Sequence, residues 1–258
     1  MALWLTDYRV IDLAQSLYPG IPHWPTHPPF THALTKLHGE TVLPGGASSS
    51  ADAISLGTHT GTHVDSLGHF SCNGFFYGGV PVEGNQDYAG GLTAHSVDLI
   101  QPIVRRGVLV DVARRLGMDA LPADFGIGAA YFHDAGIRPG DVVLVRTGWG
   151  LLWHDPARFI NNMKMPGLTL DAARYLSSLK VYAAGTDTAG FERTPSNMEV
   201  HVHLLVESGI YIFECLNLEA LAASGAVEFV FAAAPLKIRG ATGAPVRPFA
   251  LVSRSAAA

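Results

Sequence analysis

The sequence predicts a mixed α/β fold, and three observations carry that prediction. Segments 107–112 and 141–147 are continuous apolar runs, as strands show when both faces of a sheet are covered. Two further segments read as a helix followed at once by an apolar strand: 169–179 before 181–184, and 196–209 before 210–216. No internal repeat or low-complexity linker divides the 258 residues, so a single domain over 1–258 is expected.

Residues 8–18 open with a β-branched, strand-like pattern and run into Pro19, Pro22, Pro25, Pro28 and Pro29. Residues 1–50 are therefore expected as an extended N-terminal arm, docked on the domain or exchanged with another chain. Residues 51–57 read as a short strand feeding a histidine-rich turn. The glycine-rich stretch 74–91 is too long and polar for one hairpin turn, which predicts an ordered functional loop. Residues 122–135 carry an acidic first turn and end at Gly136, the pattern of a helix. Thr169 is placed as N-cap of the 169–179 helix, with Asp171 near its start and Leu170, Ala173 and Leu176 on its apolar side. Segments 227–233 and 246–252 close the chain as strands.

A composition of 48% hydrophobic and 15% charged residues excludes a chain that is mainly disordered. The net charge of -5, with the basic residues scattered, leaves no footprint for a phosphate backbone, so nucleic acid is not an expected partner. Cys72 and Cys215 stand far apart in sequence and build neither a disulfide framework nor a cysteine-rich zinc site. The N-terminus lacks a basic and apolar leader, and no apolar run reaches the roughly 18 residues of a membrane helix, so a cytoplasmic protein is expected. With 28 Gly, 16 Pro and 12 His, the chain reads as an enzyme rich in loops.

The sharpest signal is the 11-residue window from His59 to His69, which holds His59, His63, Asp65 and His69. Two imidazoles four residues apart and a carboxylate two further on can converge on one divalent ion and leave a coordination position open for water. Gly61 and Gly68 argue against a regular helix, so His59, His63 and Asp65 are expected to point inward from a strand end and tight loop. His69 is placed off the metal, as a proton donor to a leaving nitrogen or a holder of the attacking water. A buried turn of backbone-bonded histidines is the plain alternative; it suffices for one His and fits four clustered ligand types less well.

A second patch joins His201 and His203 to Glu214, an acid inside an apolar strand that must be paired, hydrogen-bonded or metal-bound. With a bridging Asp65, His201 and Glu214 can complete a second metal site; an arginine partner for Glu214 and a capping role for His201 weigh evenly against it. Trp24, Phe30, Phe70, Phe75, Phe76 and Trp149 are candidates for a flat apolar pocket, although most aromatics are simply buried. Trp24 and Phe76, in proline- or glycine-rich loops, are the preferred substrate-binding residues. Asp187 follows a buried strand and reads equally as a ligand-facing acid or a local turn former. Arg247 reads equally as an anchor for a substrate carboxylate or a partner for an acid. The glycines from Gly240 to Gly243 do not form a phosphate loop.

The pattern His-x-Gly-Thr-His-x-Asp-x-x-x-His, carried by His59, Gly61, Thr62, His63, Asp65 and His69, resembles the signature of the metal-dependent cyclase superfamily, which contains bacterial kynurenine formamidases and isatin hydrolases. The likeness extends to Val10-Ile11-Asp12-Leu13, Trp24-Pro25, the segment from Pro139 to Trp149, Thr186-Asp187, His201 with Leu204-Leu205, and the segment from Leu236 to Arg247. It implies a mixed-sheet, swivelling β/β/α domain in homodimers or homotetramers. It further implies Zn²⁺ or Mn²⁺, one or two ions, on His59, His63 and Asp65, with Asp65, His201 and Glu214 holding the second. His69 and Glu214 become the catalytic residues. An acid at position 214 leans toward the two-metal branch, and the spacing to Glu214 with the Leu pair selects His201 over His203.

The activity expected is hydrolysis of a C–N amide bond in a small arylformamide or cyclic amide by metal-activated water. A lactone or dienelactone hydrolase using the same site, and a non-catalytic metal- or ligand-binding protein, are the alternatives.

Overall fold

The structure is a computed structural model that describes residues 7–254. Along the chain the first strands are β1 (Tyr8–Asp12), β2 (Thr31–Lys36), β3 (Ala51–Ser55), β4 (His63–Asp65), β5 (Gln86–Asp87) and β6 (Gly91–Leu92). Then come β7 (Ile103–Asp111), α1 (Val112–Arg115), β8 (Gly126–Ile127), β9 (Val142–Arg146), α2 (Pro156–Ile160), β10 (Gly167–Leu168) and α3 (Leu170–Ser178). The remainder is β11 (Ala183–Thr186), α4 (Glu199–His201), β12 (Tyr211–Glu214), α5 (Glu219–Ala223), β13 (Glu228–Ala233), β14 (Gly243–Pro245) and β15 (Phe249–Ser253).

Nine strands form one mixed sheet in the order β1-β15-β13-β7-β9-β11-β12-β4-β14. Its centre, β7-β9-β11-β12, is parallel, and the flanking pairs are antiparallel. The sheet curls: Ala14 bridges Leu216, and Asn217 N–H donates to Leu13 C=O, so the extension of β1 meets the segment after β12.

Alternation along the central strands explains their unbroken apolar sequence. Leu109, Val142 and Leu144 enter the core enclosed by the curl, with Val64, Phe213 and Phe231. Val108, Val110, Val143 and Val145 face the opposite core, where Ala173, Leu176, Leu204 and Leu205 cover them. A third core of Ile21, Phe30, Trp149, Trp153, Phe159 and Met165 docks the arm.

The arm is thus extended in part only. β1 belongs to the main sheet, and β2-β3 is a hairpin whose residues are almost all exposed. The helix expected over 122–135 does not form. Gly126 lies so close to Thr169 that a Cβ would approach its methyl to 2.9 Å, and β8 pairs with β10 there, leaving one 3₁₀ turn at Ala129–Phe132. The helix expected over 196–209 is α4 followed by a wide π turn, Val202–Ser208. The last expected strand, 246–252, starts three residues later as β15, and residues 243–245 before it form β14. The stretch 74–91 is ordered around a 3₁₀ turn at Tyr77–Gly79 and the β5-β6 pair. No helix among the described residues is long and apolar enough to cross a membrane.

Candidate metal centre

Strand register assembles the centre. β4 lies between β12 and β14, with His63 opposite Glu214 and Asp65 opposite Ile212. Directly paired residues share a face, so His63, Asp65 and Glu214 project together while Val64 and Phe213 turn into the core. Thr62 fixes the entry to β4: its hydroxyl donates to Cys215 C=O at 2.6 Å and accepts from Gln15 N–H.

His59 approaches from the loop before β4. Its Nδ1 lies 2.7 Å from Asp65 Oδ1 and its Nε2 lies 2.8 Å from Thr242 Oγ1. Gly243 makes room for it, because a Cβ there would stand 2.5 Å from the His59 ring. His69 stacks on His59 with ring centroids 3.9 Å apart. His63 donates from Nδ1 to Gly61 C=O, which turns Nε2 inward to 3.4 Å from Asp65 Oδ1 and 3.5 Å from Glu214 Oε2.

The second patch joins the same cluster. His201 Nε2 lies 3.2 Å from Glu214 Oε1 and 3.9 Å from Asp65 Oδ2. Glu192, in the segment after β11, takes both His201 N–H (2.9 Å) and Nδ1 (2.7 Å) on one carboxylate oxygen. Phe191 N–H donates to Glu214 Oε1 at 2.8 Å. His203 points elsewhere, to Ser177 and Glu207.

The donor set fits a divalent cation. The ligand-type atoms of His59, Asp65 and His69 lie within 4.8 Å of one another, as do those of His63, Asp65 and Glu214, and Asp65 is common to both groups. His63 Nε2 and Asp65 Oδ2 are buried without a hydrogen-bond partner among the described residues. Among the described residues, Asp65, Glu214 and Glu192 form their ion pairs with histidines alone. Burial depresses His201, but its bonds to Glu192 and Glu214 outweigh that and raise it to about 10. Burial would raise Asp65, yet the hydrogen bond it takes from His59 and the approach of His63 hold it well below the usual carboxylate range. Without a metal, protons on imidazole balance the carboxylates; a divalent cation can take their place. Burial pushes His69 the other way, down to about 3, which leaves it neutral.

A cleft of about 210 Å³ opens onto the cluster. Trp24, His27, Phe70, Ala189, Gly190 and Met198 line it beside His59, His69, His201 and Glu214, and among the described residues no Lys or Arg does. Trp24 lines this cleft and Phe76 does not: Phe76 is 4% exposed, and its ring meets His95 edge-on with centroids 6.3 Å apart. Asp187 is a fully buried clamp that accepts from Thr147 N–H, Thr147 Oγ1 and Gly148 N–H. Arg247 pairs with Asp12 and lines a larger recess of about 610 Å³ that none of the histidines lines among the described residues. Glu192, Thr242 and His27 escaped the sequence reading. Glu192 follows Phe191 in a segment without periodicity, and Thr242 is a small residue 183 positions from its partner.

The model of the Cyclase family, described as "Putative cyclase", matches residues 11–193. An isatin hydrolase of Roseibium aggregatum is 28% identical, over 96% of this chain and 94% of its own length. A kynurenine formamidase of Bacillus thuringiensis is 27% identical, over 92% of this chain and 94% of its own. Among solved structures, one described as a novel cyclase superposes with a TM-score of 0.88 at 28% identity, covering 95% of this chain and 87% of the other. Isatin hydrolase A from Ralstonia solanacearum gives 0.75 at 27% identity, covering 96% and 93%.

Proposed function

The chain belongs to the cyclase family, a hydrolase like its named relatives, and from that premise we propose that it cleaves the C–N bond of a small arylformamide or cyclic amide. The observation that carries this reading is the convergence of two sets of ligand-type atoms, those of His59, Asp65 and His69 and those of His63, Asp65 and Glu214, with His201 Nε2 3.2 Å from Glu214 Oε1, at the floor of an aromatic cleft. In this reading His59, His63, Asp65, His201 and Glu214 would hold one or two ions of Zn²⁺ or Mn²⁺, with Asp65 shared, and His69 stays off the metal as the acid–base. When bound, the cation supplies a Lewis acid for the scissile carbonyl and makes water acidic enough to act as hydroxide near neutral pH.

The chain's own groups do the rest. Glu192 fixes the His201 ring so that Nε2 faces Glu214, and Phe191 N–H holds the Glu214 carboxylate. Water adds to the carbonyl carbon, the C–N bond breaks, and the nitrogen takes a proton. His69, neutral at the outset, accepts the proton that water releases and returns it to the nitrogen. Trp24, Phe70 and Met198 supply apolar walls for the aryl ring. A cleft without Lys or Arg suits an uncharged substrate such as isatin better than an amino acid such as N-formylkynurenine, whose carboxylate needs a counter-charge.

Turnover of isatin and N-formylkynurenine, measured on protein reloaded with Mn²⁺ or Zn²⁺ and again after chelation, tests the reading. Turnover that disappears on chelation and returns with metal supports it, and amide turnover indifferent to chelation overturns it. His69→Ala should lower turnover by about a hundredfold, as loss of a general acid–base does, while metal content stays near that of the unaltered chain.

A further inference from the structure

We propose that Thr242 is a positioning residue for the metal centre: its hydroxyl accepts the Nε2 proton of His59 and so presents Nδ1 of that ring to the cation. This rests on the metal-dependent reading above. The two ring nitrogens of His59 face different groups. Nδ1 lies 2.7 Å from Oδ1 of Asp65, the acid common to both sets of converging ligand atoms, whereas Nε2 lies 2.8 Å from Thr242 Oγ1. A neutral imidazole carries one proton, and a nitrogen that binds metal cannot keep it, so with Nδ1 on the cation the proton sits on Nε2. The other two imidazoles of the proposed ligand set are pinned in the opposite sense. His63 Nδ1 is held by Gly61 C=O and His201 Nδ1 by Glu192, which leaves Nε2 of each toward the carboxylates. Each ring thus has one nitrogen fixed by a partner outside the ligand set, and for His59 that partner is Thr242.

The glycine-rich turn 240–243, which makes no phosphate loop, holds that hydroxyl in place. Thr242 C=O accepts from both the backbone N–H (2.9 Å) and the hydroxyl (2.7 Å) of Ser66, the fully buried residue that follows Asp65. Ala241 C=O accepts from Val97 N–H. Gly240, at φ +77°, approaches Gly90 C=O so closely that a Cβ has no room there. Gly243 pairs with Asp65 in the β14-β4 register. The main chain around Thr242 is therefore fixed by bonds that do not use its side chain. Among the described residues its hydroxyl bonds His59 alone, so removing the hydroxyl removes one contact to that ring and no backbone contact.

The test compares the unaltered chain with Thr242→Val, which keeps the shape and loses the hydroxyl, and with Thr242→Ser, which keeps the hydroxyl. Competition with a chromophoric chelator gives the Zn²⁺ affinity of each. Long-range proton–nitrogen correlation spectra of the Zn²⁺-loaded proteins show which nitrogen of each histidine ring carries the proton. The unaltered chain should show one metal-bound ring with its proton on Nε2, slow to exchange with water; His63 and His201 keep theirs on Nδ1, so that ring is His59. Thr242→Val should lose this protected proton and bind Zn²⁺ about tenfold or more weakly, as loss of a ligand's hydrogen-bond partner does. Thr242→Ser should keep the proton and stay within about threefold of the unaltered affinity. Equal affinity in Thr242→Val and the unaltered chain, an equal loss in Thr242→Ser, or a His59 ring bound through Nε2 overturns this inference and leaves the hydrolase reading standing. The ring signal of the unaltered chain decides the matter even where Thr242→Val does not fold. An unaltered chain that holds no Zn²⁺ overturns the metal-dependent reading and this inference with it.

Discussion

Glu192 shows how much of the centre depends on residues that do not themselves face the cleft. One of its oxygens holds the His201 ring through Nδ1 and the same residue's backbone amide. Partners of this kind set ring orientation and ligand basicity, so Glu192→Gln should weaken metal affinity about tenfold to a hundredfold, read by competition with a chromophoric chelator. Gly243→Ala should displace His59, since the added methyl has the ring on one side and Val64 C=O at 2.8 Å on the other. Loss of metal with unchanged far-ultraviolet circular dichroism is the expected result. Burial raises Asp187 to about 6 despite the donors around it. The folded state therefore holds a proton that the unfolded state has released between about pH 4 and 6, so stability from this group is full below that window and lost as pH rises through it. In urea titrations the advantage of the unaltered chain over Asp187→Asn should shrink from pH 4.5 to pH 7. The cluster of His59, His63, Asp65 and His69 is legible because it spans 11 residues, whereas His201 and Glu214 lie far from it in sequence. The sequence could not separate Asp187 the clamp from Asp187 the ligand, since only the fold brings Thr147 to it.

Among the elements, short strands matter most. β4 has three residues, yet its register against β12 places Glu214 beside His63 across 151 positions of sequence. The apolar central strands and α3 were legible because their patterns are periodic or continuous. The helix expected over 122–135 failed because Gly126 and Gly128 serve close packing against Thr169 and Asp171, and packing overrides a capping pattern. Where β7, β9 and α5 meet, buried Arg146 binds Glu219 through two nitrogens and Asp111 through a third. Arg146→Ala leaves two carboxylates facing each other without their cation. It should destabilise the chain by about 3 kcal/mol, measured by urea denaturation.

At the scale of the molecule, one curled sheet recruits strands from residue 8 to residue 253 and encloses one core while helices cover a second. The candidate metal centre lies toward one end of that sheet, on β4 and β12, and Trp24 and His27 of the arm line the cleft beside it. The mixed α/β class followed from local pattern; the curl and the docking of the arm did not, because they depend on contacts such as Asn217 to Leu13 that no window of sequence contains. Asp65 is the point on which the whole arrangement turns, being shared by both groups of converging ligand atoms. The most direct test is elemental analysis of the unaltered chain and of Asp65→Ala, each purified without added metal and then reloaded with Mn²⁺ or Zn²⁺. One or two ions per chain, lost in Asp65→Ala while the fold persists by circular dichroism, is the predicted result. Equal metal content in the two proteins, or none retained by the unaltered chain after reloading, would contradict it.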